Sequence, residues 1–146
     1  MEKITKANAK HEFKPTIIVD AGGAAAGRGS SYAAKQALLG KTLAIVNCDN
    51  AIITGNRGTS ILEFREMRQR GGHSLKGPFY PKHPERIMKR MVRGMLKYTR
   101  GRGEAALNRV RCFNNIPKEY EAAKKVTLIR ELKGSSTTLN DLSKEI

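Results

Sequence analysis

The apolar positions along the chain fall into short unbroken runs and one long helical period, and each predicts an element. Ile17-Ile18-Val19 and Leu43-Ala44-Ile45-Val46 are continuously apolar, which predicts strands buried on both faces, as in a parallel sheet with helices on either side. Between them the glycine-rich segment AGGAAAGRGSS, residues 21–31, predicts a turn into a helix that holds Tyr32, Ala33, Ala34, Ala37, Leu38 and Leu39 and stops at Gly40. Residues 51–54 predict a short third strand. A helix then opens at Thr59 or Ser60, with Ser60 and Glu63 at capping-box spacing and Ile61, Leu62 and Phe64 turned inward.

The strongest period lies over residues 84–97, where Ile87, Met88, Met91, Val92, Met95 and Leu96 cover about half of a helix. Pro84 suits its first turn, and Glu85 complements the positive end of its dipole. Pro78 and Pro81 stand ahead of it and predict a stiff, non-helical arm. Further on, residues 104–110 predict a short helix, and Arg111-Cys112-Phe113 a strand returning beside the first. Residues 118–133 read as an arm laid over the domain, and residues 138–146 as a small terminal helix. The sum is an α/β fold with a mainly parallel sheet of about four strands, plus basic loops and terminal extensions. Residues 1–15 are expected to form a flexible leader, 16–117 the α/β core, and 118–146 a C-terminal arm and short helix.

Charge changes the picture. Lys and Arg number 28 against 13 Asp and Glu, a net +15, which makes a polyanion the expected partner. Residues 57–102 hold 13 basic and three acidic side chains, or +10, while the flanks carry +3 and +2. Such concentration predicts a built binding surface. On the helix at 84–97, Arg86, Lys89, Arg90, Arg93 and Lys97 share one arc with no acidic side chain among them, an arrangement that phosphates would neutralise. The candidate RNA-binding residues are Arg28, Arg57, Arg65, Arg68, Arg70, His73, Lys76, Tyr80, Lys82, His83, Arg86, Lys89, Arg90, Arg93, Lys97, Arg100 and Arg102. Tyr80 and Phe79 are placed to stack on a splayed base, although Phe79 could equally anchor the arm to the core.

Candidate catalysis is sparse. Gly22 and Gly27 have phosphate-loop spacing, but Arg28 and Gly29 follow where that loop needs Lys and then Ser or Thr, and Tyr32 stands where a dinucleotide loop needs a small residue. A tight crossover turn is the better reading, and a nucleotide-binding enzyme using Gly22 to Ser31 is the alternative. Asp20 and Asp49 are expected to form turns. His73 and His83 suit phosphate contacts or capping better than metal ligation, and His11 is expected to be a solvated leader residue. Cys48 and Cys112 match no ligand spacing and are expected to be reduced and buried. No catalytic residue, metal or cofactor is expected. No apolar run approaches the ~20 residues of a membrane helix, and no signal peptide is evident, so no membrane partner and a cytoplasmic site are expected.

KGPFYPKHPERIMKRMVRGML, followed by RGRGEAALNRVRCF and NIPKEYE, closely resembles the signature region of the universal large-subunit ribosomal protein thirteen family, in its archaeal and eukaryotic form. The likeness runs back through IIVDAGG, GRGSSYAAKQALLGK and IVNCDNAIITG, and on to TTLNDLSKEI, covering about residues 17–146. It implies a three-layer α/β/α fold and a non-enzymatic constituent of the large ribosomal subunit. That constituent would bind large-subunit ribosomal RNA and lie beside other large-subunit proteins, including protein three, with no small-molecule substrate. The chain departs from the family at Gly29, where an apolar anchor is usual, at Lys97, where Pro is frequent, and at Asn114-Asn115, where an acidic residue and Gly are common. An RNA-binding regulator working away from the ribosome is a further alternative.

Overall fold

The computed structural model describes residues 13–70, 79–129 and 134–146. Four strands, β1 (Ile17–Asp20), β2 (Leu43–Val46), β4 (Val110–Cys112) and β5 (Lys125–Thr127), form an all-parallel sheet in the order β4-β2-β1-β5. β3 (Ile52–Thr54) pairs instead with β6 (Ser136–Thr138) in a separate antiparallel ribbon. The helices are α1 (Ala26–Leu38), α2 (Arg57–Gln69), α3 (Pro84–Gly94), α4 (Gly101–Asn108) and α5 (Leu139–Glu145).

The α/β fold with its four-stranded parallel sheet agrees with the expected three-layer architecture, and the alternation of β1 and β2 builds it. Val19, Leu43 and Ile45 point into one core, shared with Ala33 and Ala37 of α1, Ile87, Met88 and Val92 of α3, and Leu139 and Leu142 of α5. Ile18, Ala44 and Val46 face the other way, against Tyr120, with Phe13, Phe113, Ile116 and Ala123 beside them. This second cover is thin among the described residues: a 3-10 turn at Lys118–Tyr120 and the chain around it. Phe13 is fastened there by the Tyr120 hydroxyl, which donates to its carbonyl at 3.0 Å, and by Arg111, whose guanidinium lies 4.4 Å over its ring.

Several local expectations are corrected. The helix after β1 begins at Ala26, so Gly27, Arg28 and Gly29 belong to its first turns and not to a loop. Buried Ser30 and Ala33 lock that turn against the core, which outweighs the poor helix propensity of glycine. α2 starts at Arg57, capped by Asn56, whose side chain accepts from the Gly58 N–H at 2.9 Å. Ser60 therefore lies inside the helix, and Leu62 is exposed while Ile61 and Phe64 are buried. α3 ends at Gly94, short of residue 97, and leaves Met95 exposed. α4 opens at Gly101 and stops at Asn108, which frees Val110 for β4, and β4 pairs with β2 instead of with β1. The run expected to be an arm supplies β5, the edge strand beside β1.

Candidate nucleic-acid interface

Helix α3 is set in place at its start. Pro84 occupies the first turn, the His83 carbonyl accepts from the Arg86 and Ile87 amides at 3.0 Å, and Asn114 Oδ1 accepts the Glu85 amide at 3.0 Å. The departure at Asn114 thus supplies the cap that His83 does not, since a free helix amide needs a partner. Ile87, Met88 and Val92 are fully buried, and this turns Arg86, Lys89, Arg90 and Arg93 to the opposite side. Those four cations, with Phe79, Pro81 and Leu107, line a cleft of about 370 Å³. Arg86 and Lys89 also border a neighbouring cleft of about 290 Å³ that reaches Arg111 and Phe113. Phe79 is 67 % exposed, an aromatic surface at the edge of the cation cluster.

Two of the four cations are braced against rings. Arg90 stacks 4.4 Å from the Tyr80 centroid and donates to the Phe79 carbonyl at 3.3 Å, and Arg93 lies 4.9 Å over Tyr98. Tyr80 also meets Phe64 edge-on at 5.4 Å, so its ring is engaged by Arg90 and Phe64, while Phe79 is the more exposed aromatic. Burial pushes the Tyr80 hydroxyl above its usual pKa, against the opposing pull of Arg90.

Beyond α3 the chain turns back tightly. A Cβ at Gly103 would lie 2.1 Å from the Lys97 carbonyl oxygen, so only glycine fits where α4 meets that turn. The turn carries exposed Lys97, Arg100 and Arg102. Lys82 and His83 are likewise exposed, at the start of α3. Arg28 sits apart from this cluster, with Lys35, Tyr32 and Ile129 around a cleft of about 510 Å³. His73 and Lys76 lie outside the described residues.

The cations of α2 have partners within the chain. Arg57 pairs with the Glu145 carboxylate, Arg65 donates to the Glu145 carbonyl at 2.9 Å, and Arg68 donates to an Ile146 oxygen at 2.5 Å. Arg70 bonds Glu66 at 2.6 Å, one turn back. The candidate set therefore divides: Arg86, Lys89, Arg90 and Arg93 share the α3 cleft, Lys97, Arg100 and Arg102 lie on the turn after it, and α2 grips the C-terminal helix. Sequence reasoning passed over Lys35 and Arg111. Arg111 could have been found from strand alternation, since Val110 points inward and its successor must point out.

The glycine-rich turn spends its amides internally. Gly22 donates to Asp20 Oδ1 at 2.9 Å, Gly23 to the Asn50 carbonyl at 3.0 Å and Ala24 to the Ala21 carbonyl at 3.1 Å. Asp20 also accepts from Asn47 Nδ2 at 2.8 Å, which makes it a turn-former, as expected. A phosphate loop needs those amides free. Among the described residues no group of His, Cys, Asp and Glu could hold a metal, and no helix is long and apolar enough to cross a membrane.

A family model described as ribosomal protein L13 matches residues 14–119, which run from before β1 to the 3-10 turn and include all of α3. The chain belongs to the ribosomal protein L13 family. Relatives named large ribosomal subunit protein uL13 agree. That of Methanosarcina barkeri is 42 % identical over 112 residues, covering 76 % of this chain and 79 % of its own. Those of Methanococcoides burtonii and Thermoplasma acidophilum are 37 % and 42 % identical over 134 and 132 residues, each covering 88 % of this chain and 96 % of the relative. Membership places the chain among structural ribosomal proteins and not among enzymes.

Proposed function

We propose that this chain is a constituent of the large ribosomal subunit in the cytoplasm, where it binds large-subunit ribosomal RNA and supports subunit assembly. The observation that carries the reading is the α3 face. Arg86, Lys89, Arg90 and Arg93 line one cleft beside exposed Phe79, and among the described residues none of them forms an ion pair with a carboxylate. Phosphates supply the missing counter-charge, and Phe79 supplies a stacking surface for an unpaired base. The rigid seat of α3 makes the readout one of shape, with the cations positioning the backbone. Lys82 and His83, exposed at the start of α3, lie at its margin. The resemblance to the family adds protein three to the expected protein neighbours, a contact that cross-linking of intact subunits tests directly.

Arg86 and Lys89 make the cleanest site test, because among the described residues neither stacks on a ring. Replacing both (R86E with K89E) is expected to weaken binding to large-subunit RNA by at least about tenfold at constant salt, with an unchanged circular dichroism spectrum. Unaltered affinity would reduce the α3 face to a solvated surface. In lysate at low salt the protein is expected to sediment with large subunits. Recovery in the soluble fraction would favour a regulator acting off the ribosome.

A further inference from the structure

A second basic cleft, of about 520 Å³, lies where the end of α1, the turn after α3 and the start of α4 meet. Its character differs from that of the α3 cleft. Leu38, Met95 and Leu96 line it, and Lys97, Arg100 and Arg102 stand at its rim. Leu38 and Met95 are 38 % and 46 % exposed, so aliphatic surface is left in water beside three cations. Among the described residues none of the three cations has an ion-pair partner, and no acidic side chain lines the cleft.

From this pairing of charge with aliphatic surface, we propose that the cleft is a docking site for an extended protein segment that carries an aliphatic anchor flanked by carboxylates. The floor decides against RNA. Bases stack on aromatic rings or guanidinium planes, as Phe79 allows in the other cleft, whereas Leu38 and Met95 offer flexible aliphatic surface that gains most by covering a leucine-like side chain. The rim decides the flanks, because three unpaired cations around a partly dry floor favour anionic neighbours on each side of the anchor. Gly103, packed against the Lys97 carbonyl, fixes the start of α4 against the turn after α3. The proposal refines the ribosomal reading by giving chemistry to a protein neighbour, but its test does not need that reading to hold.

The test uses the full-length protein and two fluorescent peptides, Asp-Glu-Leu-Leu-Asp-Glu and Asp-Glu-Ser-Ser-Asp-Glu, measured by anisotropy at about 150 mM salt, where exposed charges are well screened. The leucine peptide is expected to bind at least about tenfold more tightly, since burying one such side chain is worth that or more. Leu38→Ser with Met95→Ser is expected to abolish the preference and leave the weak serine-peptide binding in place. R86E with K89E is expected to retain the preference while losing RNA, so the two readings fail separately. Equal binding of the two peptides overturns the proposal. In the unsubstituted protein the Met95 methyl resonance provides a readout independent of any variant's folding. It is expected to shift with the leucine peptide, and a shift with oligouridine alone would reassign the cleft to RNA.

Discussion

Gly103 carries a demand that its composition alone does not announce. The Lys97 carbonyl sits where a Cβ would be, 2.1 Å away, and the obstacle is backbone, which cannot swing aside like a side chain. Gly103→Ala is expected to destabilise the protein by about 2–3 kcal/mol through overpacking, read as a lowered urea midpoint. Asn114 is a milder case. Its side chain caps the Glu85 amide, and Asn114→Ala is expected to cost about 1 kcal/mol, within the usual range for a lost helix cap. Cys48 is fully buried, and the neighbouring Cys112 thiol, together with that burial, pushes its own thiol well above the ordinary 9.0. A group whose folded pKa is raised stabilises below its unfolded value and ceases to as pH climbs past it. Thiol reagents at pH 8 are therefore expected to miss Cys48 until the chain unfolds, and Cys48 is expected to contribute a loss of stability above about pH 9, checked by denaturation across pH in the protein and in Cys48→Ala.

Elements came out of the sequence in proportion to how local their causes are. α3 was legible because Pro84, Glu85 and the spacing of Ile87, Met88 and Val92 all lie within eleven residues. α1 was placed correctly but its start was not, because Gly27 and Gly29 read as loop until buried Ser30 and Ala33 pull them into a helix. β5 was missed since Lys125-Val126-Thr127 has only one apolar residue and takes its identity from the edge of β1. The role of α2 was hidden for the same reason. Arg57, Arg65 and Arg68 look like free cations until Glu145 and Ile146, about eighty residues away, close on them. Arg65→Ala with Arg68→Ala is accordingly expected to raise hydrogen exchange in α5 several-fold while RNA affinity stays within about twofold, since only exposed contacts are lost. A large loss of RNA affinity without faster exchange would return these arginines to the interface.

For the whole molecule, the net +15, of which +10 lies between residues 57 and 102, favours a polyanionic partner and makes association with it salt-dependent. If the four α3 cations with Lys82 and Arg111 together neutralise about six phosphates, affinity should fall by roughly a thousandfold between about 50 and 200 mM salt. A salt titration in the filter-binding assay gives the slope, and R86E with K89E should flatten it by about two contacts. A slope near that of a single contact would contradict a broad phosphate-neutralising face.

The position of β5 also sets an order of events during synthesis. β1 can pair with β2 as soon as both have been made, but its other edge waits about a hundred residues for Lys125–Thr127. The cationic segment is complete before either β4 or β5 exists. A nascent chain therefore presents its most highly charged stretch before the sheet that seats it can close, and long-range parallel pairing is slow even then. A chain ended after residue 124 is expected to lack a cooperative unfolding transition although it retains the whole of α3, and the growing polypeptide is left exposed to capture by any nearby polyanion until its last parallel strand arrives.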